Sequence, residues 1–271
     1  MPRMSDKQEI HCILSVGQDR IPNALELISE AAKIDVFMHV VWRGGIPQIE
    51  KNVKTYVSIE VDDCSLSEAR NILLRNMMED PSISKDAIIF LADDDGKFPP
   101  DFRERLEEVF SCDVDWVLGS YGPSLDEIDK KRFPTNSLIT LSRKDILRIS
   151  SSLGIYVRLP LLKQAGFFDE NLGIGSRISV GEDTEFALRL KKFSGSAIYD
   201  PRLLQIHPYK AKTQSQYQDT LSFLLYMAFQ SPIFLYSFMR HATNSVIRKK
   251  IEIKSIFSSI LKEFIFRVRR K

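Results

Sequence analysis

The sequence predicts an α/β protein: a mixed, mostly parallel sheet flanked by helices, followed by a C-terminal helical appendage. Three observations predict it. Short apolar runs alternate with amphipathic ones through the first half of the chain, which is the pattern of repeated strand–helix units. One such run, Ile88–Ala92, ends abruptly in Asp93-Asp94-Asp95 and is then turned by Gly96, Pro99 and Pro100. After Tyr121 the alternation weakens, and the last third holds an uncharged stretch and a basic tail.

Element by element, Ile10–Val16 reads as a first strand and Pro22–Lys33 as a helix with proline near its start. Val36–Trp42 is a second strand, closed by Gly44-Gly45, and Tyr56–Val61 a third. Ser65-Leu66-Ser67-Glu68 has the spacing of a capping box and opens a helix to about Met78. Ala87–Ala92 is the fourth strand, which delivers the acidic triplet. Pro100–Phe110 is the next helix and Asp115–Ser120 the next strand. Asp126–Arg132 reads as a charged loop, and short elements follow to Pro208. Sheets of this kind place ligands at the carboxyl ends of their strands, where the triplet lies. The expected boundaries are 8–210 for the sheet domain and 211–271 for a helical, basic region.

Hydrophobic residues make up 44% of the 271, enough for a real core. The net charge of +2 hides an asymmetry: Arg240–Lys271 holds ten Lys/Arg and two Asp/Glu, leaving 28 basic against 34 acidic residues before it. A near-neutral body with a basic tail implies an anionic partner for the tail alone, and no nucleic acid. Cys12, Cys64 and Cys112 are too widely spaced for a metal site or a disulfide framework. Met1–Glu9 is polar and resembles no signal segment, so a cytoplasmic protein is expected.

Chemistry is expected first at Asp93-Asp94-Asp95. A single Asp at a strand end is usually a helix cap. Three adjacent carboxylates repel one another, and a bound divalent cation, Mg²⁺ or Mn²⁺, is the usual remedy. Gly181-Glu182-Asp183 is a second acidic cluster, opening a helix through Phe186, Leu190 and Phe193. Acids favour helix N-termini in any case, but with the upstream triplet an acid/base role becomes the better reading. His207, ending the run Leu203–Ile206, is either structural or the completion of a metal shell. Arg70 is either a surface helix arginine or a phosphate contact, which its guanidinium fork suits.

These segments together resemble the inverting, nucleotide-sugar-dependent glycosyltransferases of family 2, which have the GT-A fold. Four matches fall in family order: the first strand Ile10–Val16, "SLSEARN", "FLADDDGKFPPDF" and "LPLLKQAGFFDENLGIGSRISVGEDTEFALRL". The likeness runs from about residue 8 to 208. It implies a GT-A-like, Rossmann-like mixed sheet, with Asp93 and Asp95 as the family's DxD motif. Asp95 would touch the metal with Asp93, and His207 would join them. Asp93, Asp94, Ser15 and Arg70 would contact the nucleotide. Asp183 falls on the family's catalytic base, with Glu182 beside it. The implied donor is a UDP-sugar, and the implied acceptor a saccharide, lipid-linked, in bacterial surface polysaccharide assembly. One position departs from the family. An acidic residue often follows the second strand there; here Arg43 does. Residues 121–136 and Leu172–Val180 are the expected enclosing loops, with Gly173 and Gly175 as hinges.

Two other classes remain open. Nucleotidyl transfer onto a sugar phosphate uses a similar sheet but wants a glycine-rich loop after the first strand, where this chain has Gly17 alone. A non-catalytic membrane-bound assembly protein would need only the tail. There Ile253, Ile256, Phe257, Ile260, Leu261, Phe264, Ile265 and Val268 follow helical spacing, with Lys254, Lys262, Arg267 and Arg269 off the stripe. Either the stripe docks on the chain's own core, or it lies on an anionic membrane at the inner face of the cell. Thr220–Met239 is uncharged, but Gln230-Ser231-Pro232 interrupts it, so a spanning helix is not expected.

Overall fold

The computed structural model describes residues 7–47, 56–62, 64–124, 126–129, 132–133, 139–194, 197–209, 213–248 and 250–269. They divide into two compact units, Met1–Asp169 with Asp183–Tyr209, and Glu170–Glu182 with Lys210–Lys271.

The first unit is built on a sheet of β1 (Ile10–Gly17), β2 (Phe37–Arg43), β3 (Tyr56–Val61), β4 (Ile88–Ala92), β5 (Trp116–Gly122), β6 (Ile139–Thr140), β7 (Ile155–Arg158) and β8 (Ile198–Ile206). Its order is β3-β2-β1-β4-β7-β5-β8-β6. The pairs β1–β2, β1–β4, β2–β3 and β5–β8 are parallel. β7 enters antiparallel between β4 and β5, and β6 antiparallel beside β8. This is the mixed, helix-flanked α/β architecture the sequence predicts, with β7 as the antiparallel insertion.

The strands read as continuous apolar runs because both faces are covered. Along β1, Ile13 points to one core layer, and Cys12 and Leu14 to the other. The first layer is closed by α2 (Leu66–Glu79), α4 (Arg143–Ile149), α5 (Leu159–Ala165) and α6 (Glu182–Phe193), through residues such as Leu73, Ile146, Leu162 and Phe186. The second is closed by α1 (Ile21–Lys33) and α3 (Phe102–Phe110), through Leu27, Ile28, Phe102 and Leu106. Each such side chain stabilises the unit by about 1.5–3 kcal/mol. The capping box at α2 forms as expected: Glu68 N–H donates to Ser65 Oγ at 3.2 Å, and Ser65 N–H to Glu68 Oε2 at 2.8 Å. Between β5 and β8 the register shifts at Leu118/Ser120. There only Gly119 fits, because a Cβ would run into the Leu203 carbonyl.

The second unit holds α7 (Gln214–Gln230), α8 (Ile233–Ile247), α9 (Ile253–Arg269) and the loop Glu170–Glu182. Thr213 and Gln216 form the capping box of α7. Ser231 is extended, as a residue before proline prefers, and α8 starts after Pro232. The uncharged stretch is therefore two helices. Among the described residues no helix is long and apolar enough to cross a membrane.

Of the two alternatives for the α9 stripe, the described side chains do not show it docked on the chain's own core. Ser259 and Glu263 are buried, while Ile253, Phe257, Ile260, Leu261, Ile265 and Val268 are exposed. Among the described side chains, three of its contacts within the unit are polar. Gln218 Nε2 donates to Ser255 Oγ at 3.1 Å, Ser222 Oγ to Ser259 Oγ at 3.3 Å, and Arg177 Nη1 to Glu263 Oε2 at 2.7 Å. Arg270, Lys271 and the side chains of Phe264, Arg267 and Arg269 lie outside the described residues.

Candidate metal and active site

The first unit folds so that two distant segments meet. Asp93–Gly96 turns at the carboxyl end of β4, closed by Gly96 N–H to the Asp93 carbonyl at 3.0 Å. Lys97 then pairs with Ile206 through two backbone bonds of 2.9 Å. β8 arrives there alongside β5, and His207 N–H donates to the Gly122 carbonyl at 2.8 Å. Buried Gln205 adds a clamp, donating from Nε2 to the Leu91 carbonyl at 2.8 Å.

This pairing sets His207 Nε2 2.8 Å from Asp95 Oδ1 and 3.7 Å from Asp93 Oδ2. One ligand atom from each of Asp93, Asp95 and His207 lies within 4.8 Å of the others. His207 is buried, and the side chain of Asp95 is only 11% exposed. The 2.8 Å approach is an ion-pair distance without hydrogen-bond alignment: neither ring nitrogen of His207 makes a hydrogen bond. Leaving a buried polar atom unsatisfied costs about 1–3 kcal/mol. Two carboxylates and an imidazole converging on one point, with the imidazole otherwise unbonded, fit a divalent cation. Asp94, in the same turn, is not among the three converging groups.

Cationic groups flank the acids. Arg20 Nη1 lies 3.5 Å from Asp95 Oδ2, and Arg70 Nη2 3.8 Å from Asp93 Oδ1. Arg70 is buried on α2 with its guanidinium 5.4 Å over the Phe168 ring. Asn71 fixes that ring's backbone with two bonds, Nδ2–H to the Phe168 carbonyl at 3.0 Å and Phe168 N–H to Oδ1 at 2.8 Å. Arg43 ends β2, and its buried Nε makes no hydrogen bond. Ser15, late in β1, likewise has a buried hydroxyl without a partner.

Asp183 sits in the first turn of α6. Its Oδ2 accepts from Ser152 N–H at 3.2 Å and its Oδ1 from Thr184 N–H at 2.6 Å. Thr184 is itself tied to Ser150, Oγ1 to Oγ at 2.9 Å. The Tyr121 ring meets His207 edge-on at 5.8 Å, and its phenol feels the charge of Asp183. Burial raises the Tyr121 pKa, Arg132 opposes the rise, and Asp183 adds to it. Arg132 donates to the Tyr121 hydroxyl at 2.6 Å and to the Ser150 carbonyl at 3.0 Å. Tyr121 thus contacts His207 and lies within electrostatic reach of Asp183. Glu182, the first residue of α6, is buried and groups with the second unit.

The structure therefore brings Asp93, Asp95, His207 and Arg70 together at the carboxyl end of β4, with Asp183 linked to them through Tyr121. Arg20, Tyr121, Arg132 and Gln205 were not singled out from the sequence. A basic residue just after the first strand could have flagged Arg20; the others carry no local signal. The enclosing loop expected at 121–136 is described only in part. Leu172–Val180 is internally bonded, with Leu172 bridging Ile178 and Gly173 and Gly175 at φ 99° and 86°.

No family model and no curated protein matches the chain. Solved structures resemble it weakly. A putative glucose-1-phosphate thymidylyltransferase from Bacillus anthracis, in complex with sucrose, has 13% identity and a TM-score of 0.41, covering 71% of this chain and 86% of that one. The 2-C-methyl-D-erythritol 4-phosphate cytidylyltransferase of Francisella tularensis has 13% identity and a TM-score of 0.40, covering 71% and 89%. An active-site mutant of LgtC has 13% identity and a TM-score of 0.36, covering 70% and 72%.

Proposed function

We propose that the protein is an inverting glycosyltransferase that moves a sugar from a nucleotide donor, a UDP-sugar, to the hydroxyl of a saccharide acceptor. The observation that carries the reading is the convergence of Asp93, Asp95 and His207 at the carboxyl end of β4, with Arg20 and Arg70 beside them. Asp93, Asp95 and His207 would hold Mg²⁺ or Mn²⁺, which supplies charge neutralisation for a departing diphosphate. Arg20 and Arg70 offer guanidinium donors to the same phosphates. Ser15 and Asp94 complete the expected nucleotide contacts.

Asp183 is the proposed base. Its carboxylate is aimed by the Ser152 and Thr184 N–H groups, so its free lone pairs are fixed in direction. It takes the proton of the acceptor hydroxyl as that oxygen bonds to the anomeric carbon. The bond from that carbon to the diphosphate breaks on the opposite face, and one displacement inverts the centre. Arg132 ties Tyr121 to the Ser150 carbonyl, and Ser150 is bonded to Thr184 beside Asp183. Glu182 remains the substitute base if Asp183 is not used. A lipid-linked acceptor, in surface polysaccharide assembly, is the proposed physiological setting.

Arg20 beside Asp95 suits a second reading equally well: nucleotidyl transfer onto a sugar phosphate. The products separate the two. Incubated with Mn²⁺ and a panel of nucleotide sugars, the protein should release a nucleoside diphosphate and an inverted glycoside. Release of pyrophosphate from a nucleoside triphosphate and a sugar phosphate, with no turnover of nucleotide sugars, would establish the second reading instead.

A further inference from the structure

We propose that α9, with α8, is a docking surface for an anionic lipid bilayer, lying on the membrane rather than crossing it. Ordinary amphipathic helices turn their apolar face inward. α9 does the reverse, presenting Ile253, Phe257, Ile260, Leu261, Ile265 and Val268 outward at exposures of 38–67%. The inversion is built in. Ser255 and Ser259 bond to Gln218 and Ser222 of α7, and buried Glu263 pairs with Arg177, whose guanidinium also lies 3.7 Å over the Phe266 ring. α8 is apolar on both sides instead: Phe234, Phe238 and Ala242 face inward, while Leu235, Tyr236 and Met239 are more than half exposed.

Charge names the occupant. Glu263 is the one acidic residue of α9, and it is buried and neutralised. The exposed charges of the helix are therefore cationic, Lys254 and Lys262. Glu252, just before it, pairs with Lys254 at 2.6 Å, so among the described side chains Lys262 carries the net exposed charge of the helix. α8 holds Arg240 and no acid, and Arg248 and Lys250 follow it. A second copy of this chain would bring cation against cation. An anionic headgroup layer over acyl chains meets both the lysines and the apolar stripe. No helix among the described residues can cross a bilayer, so the contact is interfacial. It would hold whether or not the transferase reading does, since it uses none of the catalytic residues.

Flotation of the full chain with phosphatidylglycerol-containing vesicles tests the proposal. Wild type should float with anionic vesicles, much less with phosphatidylcholine alone, and binding should fall as salt rises. Phe257→Ser with Leu261→Ser should lower the vesicle partition coefficient by about tenfold or more while leaving the melting temperature unchanged. Lys254→Glu with Lys262→Glu should weaken binding to anionic vesicles only. Absence of flotation by wild type would overturn the proposal. So would a sharp fall in melting temperature for the serine variant, or a concentration-dependent dimer without lipid that the serine variant abolishes.

Discussion

The two edges of the sheet use polar residues in opposite ways. At the amino edge, Arg103 on α3 donates to the carbonyls of Gln8, Ile34 and Asp35, just ahead of β1 and β2. Arg158, ending antiparallel β7, does the same for Phe110, Val114 and Asp86. His11 links His39 at 2.8 Å to Glu9 at 2.6 Å. These groups close the protein's own loops. At the carboxyl edge His207, Ser15 and Arg43 keep buried donor or acceptor atoms without hydrogen bonds, around a turn of carboxylates. Arg103 Nε also lacks a hydrogen bond and lies 2.8 Å from Glu107 Oε1, so the difference is one of surroundings. Polar groups bonded to the protein's own backbone make stability, and those gathered around a turn of carboxylates are the candidates for holding something else. Substitutions at the two edges should therefore separate stability from activity.

The largest expected effect is at Asp183. Asp183→Asn keeps the shape but cannot take a proton, so turnover should fall by roughly 10²–10⁴ with the melting temperature unchanged. Near-wild-type turnover would move the base to Glu182. The amino edge should answer oppositely. Arg103→Ala strips three loop carbonyls of their donor and should cost on the order of 2–4 kcal/mol in denaturant unfolding. The folded fraction should retain its metal affinity. Arg70→Lys keeps the charge but loses the planar fork over Phe168. It should raise the donor KM about tenfold and leave kcat nearly intact.

The amino edge also sets a pH dependence. Burial first, and then the charge of His11, pull the His39 pKa down to about 3, and burial lowers that of His11. Burial thus disfavours the charged form of both in the fold, whereas the unfolded chain takes up protons near 6.5. His39 should leave stability flat above that pH and let it decline as pH falls from 6.5 towards 3, by at most about 1.4 kcal/mol per pH unit, with His11 acting in the same direction. Melting curves from pH 7.5 to 4.5 should show the decline, and His39→Gln should flatten it.

How much of this was legible in the sequence follows the same division. Strands β1 to β5 could be read because buried strands are continuous apolar runs bounded by turn residues. Ile155–Arg158 is too short a run to announce an antiparallel insertion. The acidic triplet, Arg70 and Asp183 were legible as residues, because charge after an apolar strand and at a helix start is a local signal. Their meeting with His207 depends on the pairing of Lys97 with Ile206, which no local pattern encodes. Tyr121 and Arg132 act through that same long-range packing. In α9 the periodicity fixed a stripe but not the direction it faces. That direction depends on Glu263 finding Arg177 and on the serines finding α7.

The central claim is that Asp93, Asp95 and His207 form a divalent metal site. The direct test is calorimetric titration of the purified full chain with Mn²⁺, with and without UDP, for wild type, Asp95→Ala and His207→Ala. Wild type should bind one ion, more tightly with UDP, and both variants should lose that binding while melting at or above the wild-type temperature. Binding that survives both substitutions, or a wild type that takes up no Mn²⁺ with or without UDP, would contradict it.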